Sequence, residues 1–405
     1  MSITGKSDLS YPYLTSDLPG TGGIFKESPE DFEVTEIPLY EPCGEGEHTY
    51  ALIEKRGLTT LEMNRRLAKA LEISERDIGY AGMKDAKGIT RQTVSLKGTS
   101  PEQVARLNIP NMKVLSAKRH GNKLRLGHLA GNSFRIRLRD VSANAASLAE
   151  NCLAIIMTRG LPNYFGSQRY GVRGNSAQAG LKLLAGDFAG AVNAILGNPD
   201  DISDERWRSA LQAYADGNAA AALELFPPHC RTEKEIVRVL AKKPGEWEKA
   251  LKSVHPKIID LYLSAAQSQL FDLTVAARIA ALDRVSSGDI ACKHANGACF
   301  LVTDEAEAAT RAAQFEISAT GPMFGKKMLL PQGDTALLEE GILKDAGVER
   351  GIFNKAGRFS LDGERRPLRV QLKDPTVEMQ DGTLLLEFSL PKGSYATTLL
   401  REIMK

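Results

Sequence analysis

Strand-forming sequence stands at both ends of this chain and helix-forming sequence fills the space between, an order that restricts how any sheet can close. Near the C-terminus, Arg366-Pro367-Leu368-Arg369-Val370-Gln371-Leu372 and Thr383 to Leu390 read as strands divided by an Asp381-Gly382 turn. A strand there needs a sheet to join, and strand-rich sequence lies in the first third of the chain. The first and last portions, residues 1–159 and 370–405, are therefore expected to form one discontinuous domain of the α+β class. The middle, residues 160–369, is then an inserted α+β domain, and both chain ends fall in one body.

In the first portion, His48-Thr49-Tyr50-Ala51-Leu52-Ile53 reads as a strand. Thr59, with Glu62 three residues on, predicts a capping box that opens a helix in which Leu61, Leu67, Ala68 and Leu71 recur at helical spacing. A short extended segment from Asp77, a tight polar loop from Gly82 to Gly88 and a strand from Thr90 to Leu96 follow. In Phe134-Arg135-Ile136-Arg137-Leu138-Arg139, strict alternation puts three apolar side chains on one face of a strand and three arginines on the other.

A helical stretch carrying Leu148, Cys152, Ile155 and Ile156 ends near Gly160. Ser176 to Ala250 is alanine-rich and helical, with breaks at Gly197-Asn198-Pro199 and Asp216-Gly217-Asn218. The spacing predicts a long helix over Ser264 to Leu282 with Leu270, Leu273, Ala277 and Ala280 on one face, and Asn296-Gly297 marks a β-hairpin. Ser394 is placed to cap a last helix that buries Ala396, Leu399, Leu400 and Ile403.

The net charge is only +2, but the charges are segregated. Glu27 to Glu47 holds eight acids and no Lys or Arg, whereas Lys113 to Arg139 holds eight Lys/Arg, two His and no acid. A block of that density favours a polyanion, and planar guanidinium groups in a row suit phosphates; a solvated basic surface is the plain alternative. The five cysteines are odd in number and dispersed, which argues for a reducing compartment, and no window approaches the ~18 apolar residues of a membrane span. The expectation is a cytoplasmic protein without a membrane segment.

The loop Gly79-Tyr80-Ala81-Gly82-Met83-Lys84-Asp85-Ala86-Lys87-Gly88-Ile89-Thr90-Arg91-Gln92 gathers a carboxylate, lysines and a glutamine between two strands. It reads either as an ordinary surface turn or as the presentation of Asp85 as a nucleophile at a strand end. Spacing alone leaves both open.

Together with Pro162-Asn163-Tyr164-Phe165-Gly166-Ser167-Gln168-Arg169-Tyr170-Gly171, Gly131-Asn132-Ser133-Phe134, Ser28-Pro29-Glu30-Asp31-Phe32 and Leu390-Pro391-Lys392-Gly393-Ser394-Tyr395, this loop resembles the TruD family of tRNA pseudouridine synthases. The matching segments run in family order from Gly20 to Glu402. The resemblance implies a catalytic domain of the pseudouridine synthase type, with a mixed, largely antiparallel β-sheet and flanking helices, interrupted by a family-specific inserted domain. It also implies isomerisation of uridine to pseudouridine in tRNA, typically at uridine 13.

Residue by residue, the resemblance makes Asp85 the catalytic aspartate and Lys26 the lysine that pairs with it. Phe32, Asn132, Phe134 and Tyr395 match residues that line the base pocket, although many members carry Phe where this chain has Tyr395. The reaction needs an ionised carboxylate, favoured by a neighbouring ammonium, and aromatic walls against which an extruded base can turn. It is an isomerisation, so no cofactor and no metal are expected. The basic block supplies Arg119, His120, Lys123 and Arg125 as expected RNA-backbone contacts, joined by Lys84, whose side chain is expected to face the RNA rather than Asp85.

Cys292, His294 and Cys299 lie close together but straddle the hairpin with no fourth ligand, and Gly20-Thr21-Gly22-Gly23 is followed by Pro29 and acids instead of a helix. Two readings remain: an RNA-modifying isomerase, or a catalytically silent RNA-binding protein or tRNA chaperone on the same fold. The oligomeric state and the atom that Asp85 would attack are left open.

Overall fold

The structure is a computed structural model that describes residues 11–171, 173–354 and 360–405, and its chain contacts divide into two compact units. One is formed by Tyr13–Leu161 with Val370–Lys405, the other by Pro162–Arg369 together with Tyr11 and Pro12.

The first unit is built on a nine-stranded sheet. Its strands are β1 (Gly22–Ile24), β2 (Phe32–Pro38), β3 (His48–Arg56), β4 (Ile78–Tyr80), β5 (Ile89–Lys97), β6 (Met112–His120), β7 (Leu129–Val141), β8 (Lys373–Gln380) and β9 (Thr383–Pro391). The order is β8-β9-β7-β2-β5-β3-β6, with β1 beside β7 and β4 beside β5. Only β2 and β5 run parallel; the other pairs are antiparallel. The C-terminal strand β9 closes on β7 with Phe388 opposite Phe134, which puts the first and last portions of the sequence in one sheet; Tyr11 and Pro12 fall in the other unit, so the two described chain ends do not share one body as expected. Helices α1 (Thr60–Leu71), α2 (Pro101–Ala105), α3 (Ala145–Arg159) and α4 (Ala396–Met404) flank it.

Alternation governs the strands. On β7, Phe134, Ile136 and Leu138 are buried while Arg135, Arg137 and Arg139 point the other way. On β3 the inward set is Thr49, Ala51, Ile53 and, against the pattern, Lys55. On β2 it is Phe32, Val34 and, again against the pattern, Glu36. A charged group on a core face demands a partner, and these two lead to the site.

Some local expectations change. Thr59 does cap α1, accepting from Glu62 N at 3.1 Å, but the Glu62 carboxylate turns to Arg65 and Arg66, so only half of the capping box forms. Leu61 is half exposed, because the buried face of α1 is centred on Met63, Asn64, Leu67 and Ala68. The strand foreseen over Arg366 to Leu372 is broken; Glu364–Pro367 joins the second unit's sheet, and the long strand is β8. Ser394 does not cap α4. Tyr395 holds the capping position without a side-chain capping bond, while Ala396, Leu399, Leu400 and Ile403 are buried as the spacing predicts.

The second unit carries successive short helices from Ser176–Leu184 to Trp247–Ser253, then the helix Pro256–Arg278, which starts earlier than predicted because Pro256 fits a first helical turn. Its core face is Leu270, Phe271, Thr274 and Val275; Ala277 and Ala280 are exposed. A four-stranded sheet pairs Cys299–Leu301, Ile290–Lys293, Ile317–Met323 and Glu364–Pro367 in that order. Asn296 and Gly297 lie between its first two strands, where Cys292 faces Cys299 and His294 Nε2 lies 2.8 Å from Ser318 Oγ.

Candidate active site

Asp85 sits in the loop between β4 and β5, and three side chains fix that loop from below. Thr60 Oγ1, at the start of α1, accepts from Lys84 N at 2.9 Å and donates to Gln92 Oε1 at 3.0 Å. Gln92 Nε2 reaches the Gly82 carbonyl, and Lys55 Nζ donates to the Asp85 carbonyl at 3.0 Å and to that of Leu58. The Asp85 backbone is thus tied to β3, while its carboxylate remains partly open, with a side-chain exposure of 37%.

Lys26 reaches Asp85 from the other side, with Nζ 3.0 Å from Oδ2. It adopts a φ of 65°, a left-handed conformation that a lysine rarely holds and that surrounding contacts must stabilise. Those contacts are aromatic: its ammonium lies 3.9 Å from the centroid of the Phe32 ring and 5.7 Å from that of Phe25. Phe32 lies 6.3 Å from Phe134, and Phe134 stacks on Phe388 at 5.2 Å. Phe32 and Phe134, two of the aromatic residues predicted for a base pocket, therefore form with Phe388 a continuous floor whose rings are all buried, 4%, 7% and 3% exposed.

Lys84 departs from expectation. It turns inward, bonding Asn132 Oδ1 and lying 3.2 Å from Glu36 Oε2, with side-chain exposures of 7% and 1% for Lys84 and Glu36. Burial lowers the Lys84 ammonium and raises the Glu36 carboxyl, and the attraction between them opposes both shifts. A lysine so enclosed cannot grip an RNA backbone. By occupying the Asn132 carbonyl it leaves that amide's donor side available, which assigns the amide orientation from the hydrogen bond.

Lys55, Glu36 and Phe388 are site residues that motif reading missed. Each had a signal: a lysine or an acid interrupting the apolar face of a strand, and a phenylalanine on β9 that the register sets opposite Phe134. Burial pushes the Lys55 ammonium down to about 8, with Asp85 acting in the opposite sense. Tyr395, half buried, stands at the start of α4, and its backbone carbonyl accepts from Thr398 N.

The basic block divides. Arg139 forks onto Asp31 at 2.7 and 3.1 Å, Arg135 pairs with Glu387, and Arg137 bonds Thr383 and Gln380, so the arginine row is engaged within the protein rather than free for phosphates. The acids that neutralise it come largely from the acidic segment, because β2 lies beside β7. His120, Lys123 and Arg125 instead line a separate pocket. Arg119 does not join them; strand alternation turns it to the other face of β6, where its charge acts on Glu102.

The mixed, largely antiparallel sheet with flanking helices defines an α+β protein whose lysine-paired aspartate stands over an aromatic floor. The family described as tRNA pseudouridine synthase D (TruD) matches residues 8–403. The tRNA pseudouridine synthase D of Geotalea daltonii is 59% identical over 98% of this chain and 100% of its own length; that of Thermus thermophilus is 38% identical over 98% and 92%. A crystal structure of the putative tRNA pseudouridine synthase D of Methanosarcina mazei superposes with a TM-score of 0.84 at 28% identity, covering 97% of this chain and 95% of that one. The chain belongs to the TruD family.

Proposed function

We propose that this protein isomerises uridine to pseudouridine in tRNA, at position 13, with Asp85 as the nucleophile. The observation that carries the reading is the Lys26–Asp85 pair at 3.0 Å on the Phe32 floor. Lys26 binds Oδ2, and Oδ1 accepts no hydrogen bond among the described residues, so Oδ1 is the attacking oxygen. The bond that Oδ1 forms to the nucleoside breaks again before product leaves; in net the N1–C1′ bond breaks, the C5–C1′ bond forms, the C5 proton passes to water and N1 takes a proton from water. The base must be extruded to reach Asp85 and must turn while detached.

Phe32, buried under the Lys26 ammonium, and Phe134 beside it back the pocket as a rigid apolar floor, and the donor side of Asn132 meets a uracil carbonyl. Tyr395 closes the pocket from α4. Lys26 stabilises the carboxylate before attack and after its release.

The test is tritium release from tRNA transcript labelled at C5 of uridine, with sequencing to locate the product. Wild type is expected to release tritium and to modify position 13, and Asp85→Asn to do neither. Equal release by both proteins would remove Asp85 from the mechanism. Binding of tRNA without release by wild type would indicate a silent RNA-binding protein, and modification elsewhere would correct the position.

A further inference from the structure

Far from Asp85 along the sheet, a pocket of about 540 Å³ is lined by Tyr40, Glu41, His120, Asn122, Lys123, Arg125 and His128. Asp85 precedes Ile89, which pairs with Arg56, whereas His48, at the other end of β3, pairs with His120. The basic loop comes nearer through Gly127 N, which bonds the Ala81 carbonyl four residues before Asp85, but none of the residues that touch Asp85 or Lys26 lines the pocket. The pocket is thus distinct from the candidate active site.

Its walls are fixed before any ligand arrives. Tyr40 stacks on His120 with centroids 5.3 Å apart and rings within 20° of parallel, and Tyr50 supports His120 at 4.4 Å. The Tyr40 hydroxyl lies 2.9 Å from His128 Nδ1. Cys43 N donates to His120 Nδ1, which leaves the neutral ring's proton on Nε2. The basic loop is anchored through its backbone: Leu124 N donates to Ser95 Oγ at 2.9 Å and Gly127 N to the Ala81 carbonyl at 2.8 Å. Gly79 permits this approach, since a Cβ there would lie 2.3 Å from the Leu124 carbonyl oxygen.

Charge separates this pocket from the rest of the basic block. The strand arginines are engaged by partners on neighbouring strands, but Arg125 is exposed and paired with no acid among the described residues. Lys123 donates to the Arg76 carbonyl, which uses one of its three protons. Two cations beside an aromatic wall match a nucleotide, with base on ring and phosphate on ammonium and guanidinium. Glu41 is an acceptor that would repel a phosphate and suits ribose hydroxyls or a base N–H, which orients the occupant. The volume lies within the range of small-ligand sites.

We propose that this pocket binds a second unstacked nucleotide of the RNA substrate, its base against Tyr40 and its phosphate on Lys123 and Arg125. The inference rests on the reading of the chain as a tRNA-modifying enzyme. The pocket sets the register of the RNA, so that the target uridine is delivered to a distant carboxylate by geometry rather than by sequence at the cleavable bond. Prior ordering of the walls limits the entropy lost when the nucleotide enters.

The test measures tRNA affinity of the full chain by filter binding across a salt series. Tyr40→Leu is expected to weaken binding roughly tenfold and Tyr40→Phe to leave it near wild type, because a phenyl ring still stacks. Arg125→Ala is expected to weaken binding and lower the salt slope by about one. Arg65→Ala, on the exposed side of α1, controls for general charge loss, and thermal melts confirm folding. RNA carrying 5-bromouridine should photocross-link to Tyr40 or His120 at a nucleotide other than the isomerised one.

Loss of affinity in Arg125→Ala with none in Tyr40→Leu would overturn the proposal in favour of a plain phosphate contact. Wild-type affinity in both would remove the pocket from RNA binding, and saturation by free uridine monophosphate without competition against tRNA would assign it to a free nucleotide. Affinity is read independently of tritium release, so failure here is distinguishable from failure of the isomerase reading.

Discussion

Gly88 lies so close under Phe32 that a Cβ at this position would sit 2.4 Å from the Phe32 carbonyl oxygen and 3.3 Å from its ring. Its φ of 149° adds a second reason for glycine. The contact joins the start of β2, and with it the aromatic floor, to the end of the loop that presents Asp85. Gly88→Ala must displace one against the other. Because displacements near 1 Å can lower a rate a hundredfold, kcat is expected to fall by about ten- to a hundredfold with a much smaller change in tRNA affinity. Single-turnover tritium release beside filter binding separates the two; equal losses in both would mean the variant had unfolded or lost the RNA surface.

Lys26 is expected to serve Asp85 by charge and to hold its place by packing on Phe32. Lys26→Met keeps much of the length and removes the charge, so kcat/KM should drop at least tenfold, and Lys26→Arg should recover part of it. A Lys26→Met enzyme with wild-type kinetics would leave the ion pair without a part in the reaction.

Lys55 makes a pH-dependent prediction. In the folded protein burial brings its ammonium to about 8, against an ordinary 10.5. Between those values the unfolded chain holds a proton that the folded chain has released, so this group makes stability rise with pH through that window, by on the order of 3 kcal/mol in total. Lys55→Met cannot titrate. The difference in urea-unfolding free energy, wild type minus Lys55→Met, should grow from pH 7.5 to pH 10, while other groups cancel. A flat difference would show that the buried ammonium keeps its ordinary affinity for protons.

The interior pair of Lys84 and Glu36 should behave as a unit. Lys84→Met leaves a buried carboxylate without its cation and is expected to destabilise the first unit by about 3 to 5 kcal/mol; adding Glu36→Gln should recover a large part. The salt slope of tRNA binding should not change, since Lys84 touches no solvent-facing anion. A slope lower by about one would restore Lys84 to the RNA backbone.

What the sequence disclosed, and what it withheld, follows from the range of the interactions. Alternation in Phe134 to Arg139 sorted core from surface correctly because it depends only on neighbours along one strand. The same rule shows Lys55 and Glu36 as intruders on apolar faces only once β3 and β2 are seen in place, because the meaning of each depends on partners in other segments. Strand β8 escaped because Asp374 takes a φ of 48° and the register shifts between Lys373 and Thr376, which breaks a regular pattern at a mostly exposed edge. The acidic and basic blocks suggested separate surfaces; the sheet order instead lays β2 against β7, and much of the charge cancels in place.

That cancellation sets the last prediction. Burial alone would raise Asp31, but the fork from Arg139 and the Ser28 N–H hold its carboxyl below the ordinary range. The folded carboxylate therefore contributes stability at neutral pH that is lost as pH falls below about 4 toward its folded value. Arg139→Ala leaves Asp31 buried and without its cation, and should lower stability at neutral pH and move the onset of acid unfolding to higher pH. Its tRNA salt slope should match wild type, whereas that of Arg125→Ala should not. Two arginines of one basic block would then separate by function: the strand residue stabilises the sheet, and the loop residue meets the polyanion. Urea titrations at pH 7 and pH 4 and salt-dependent binding of both variants decide it, and a lowered slope for Arg139→Ala would return the strand arginines to the RNA surface.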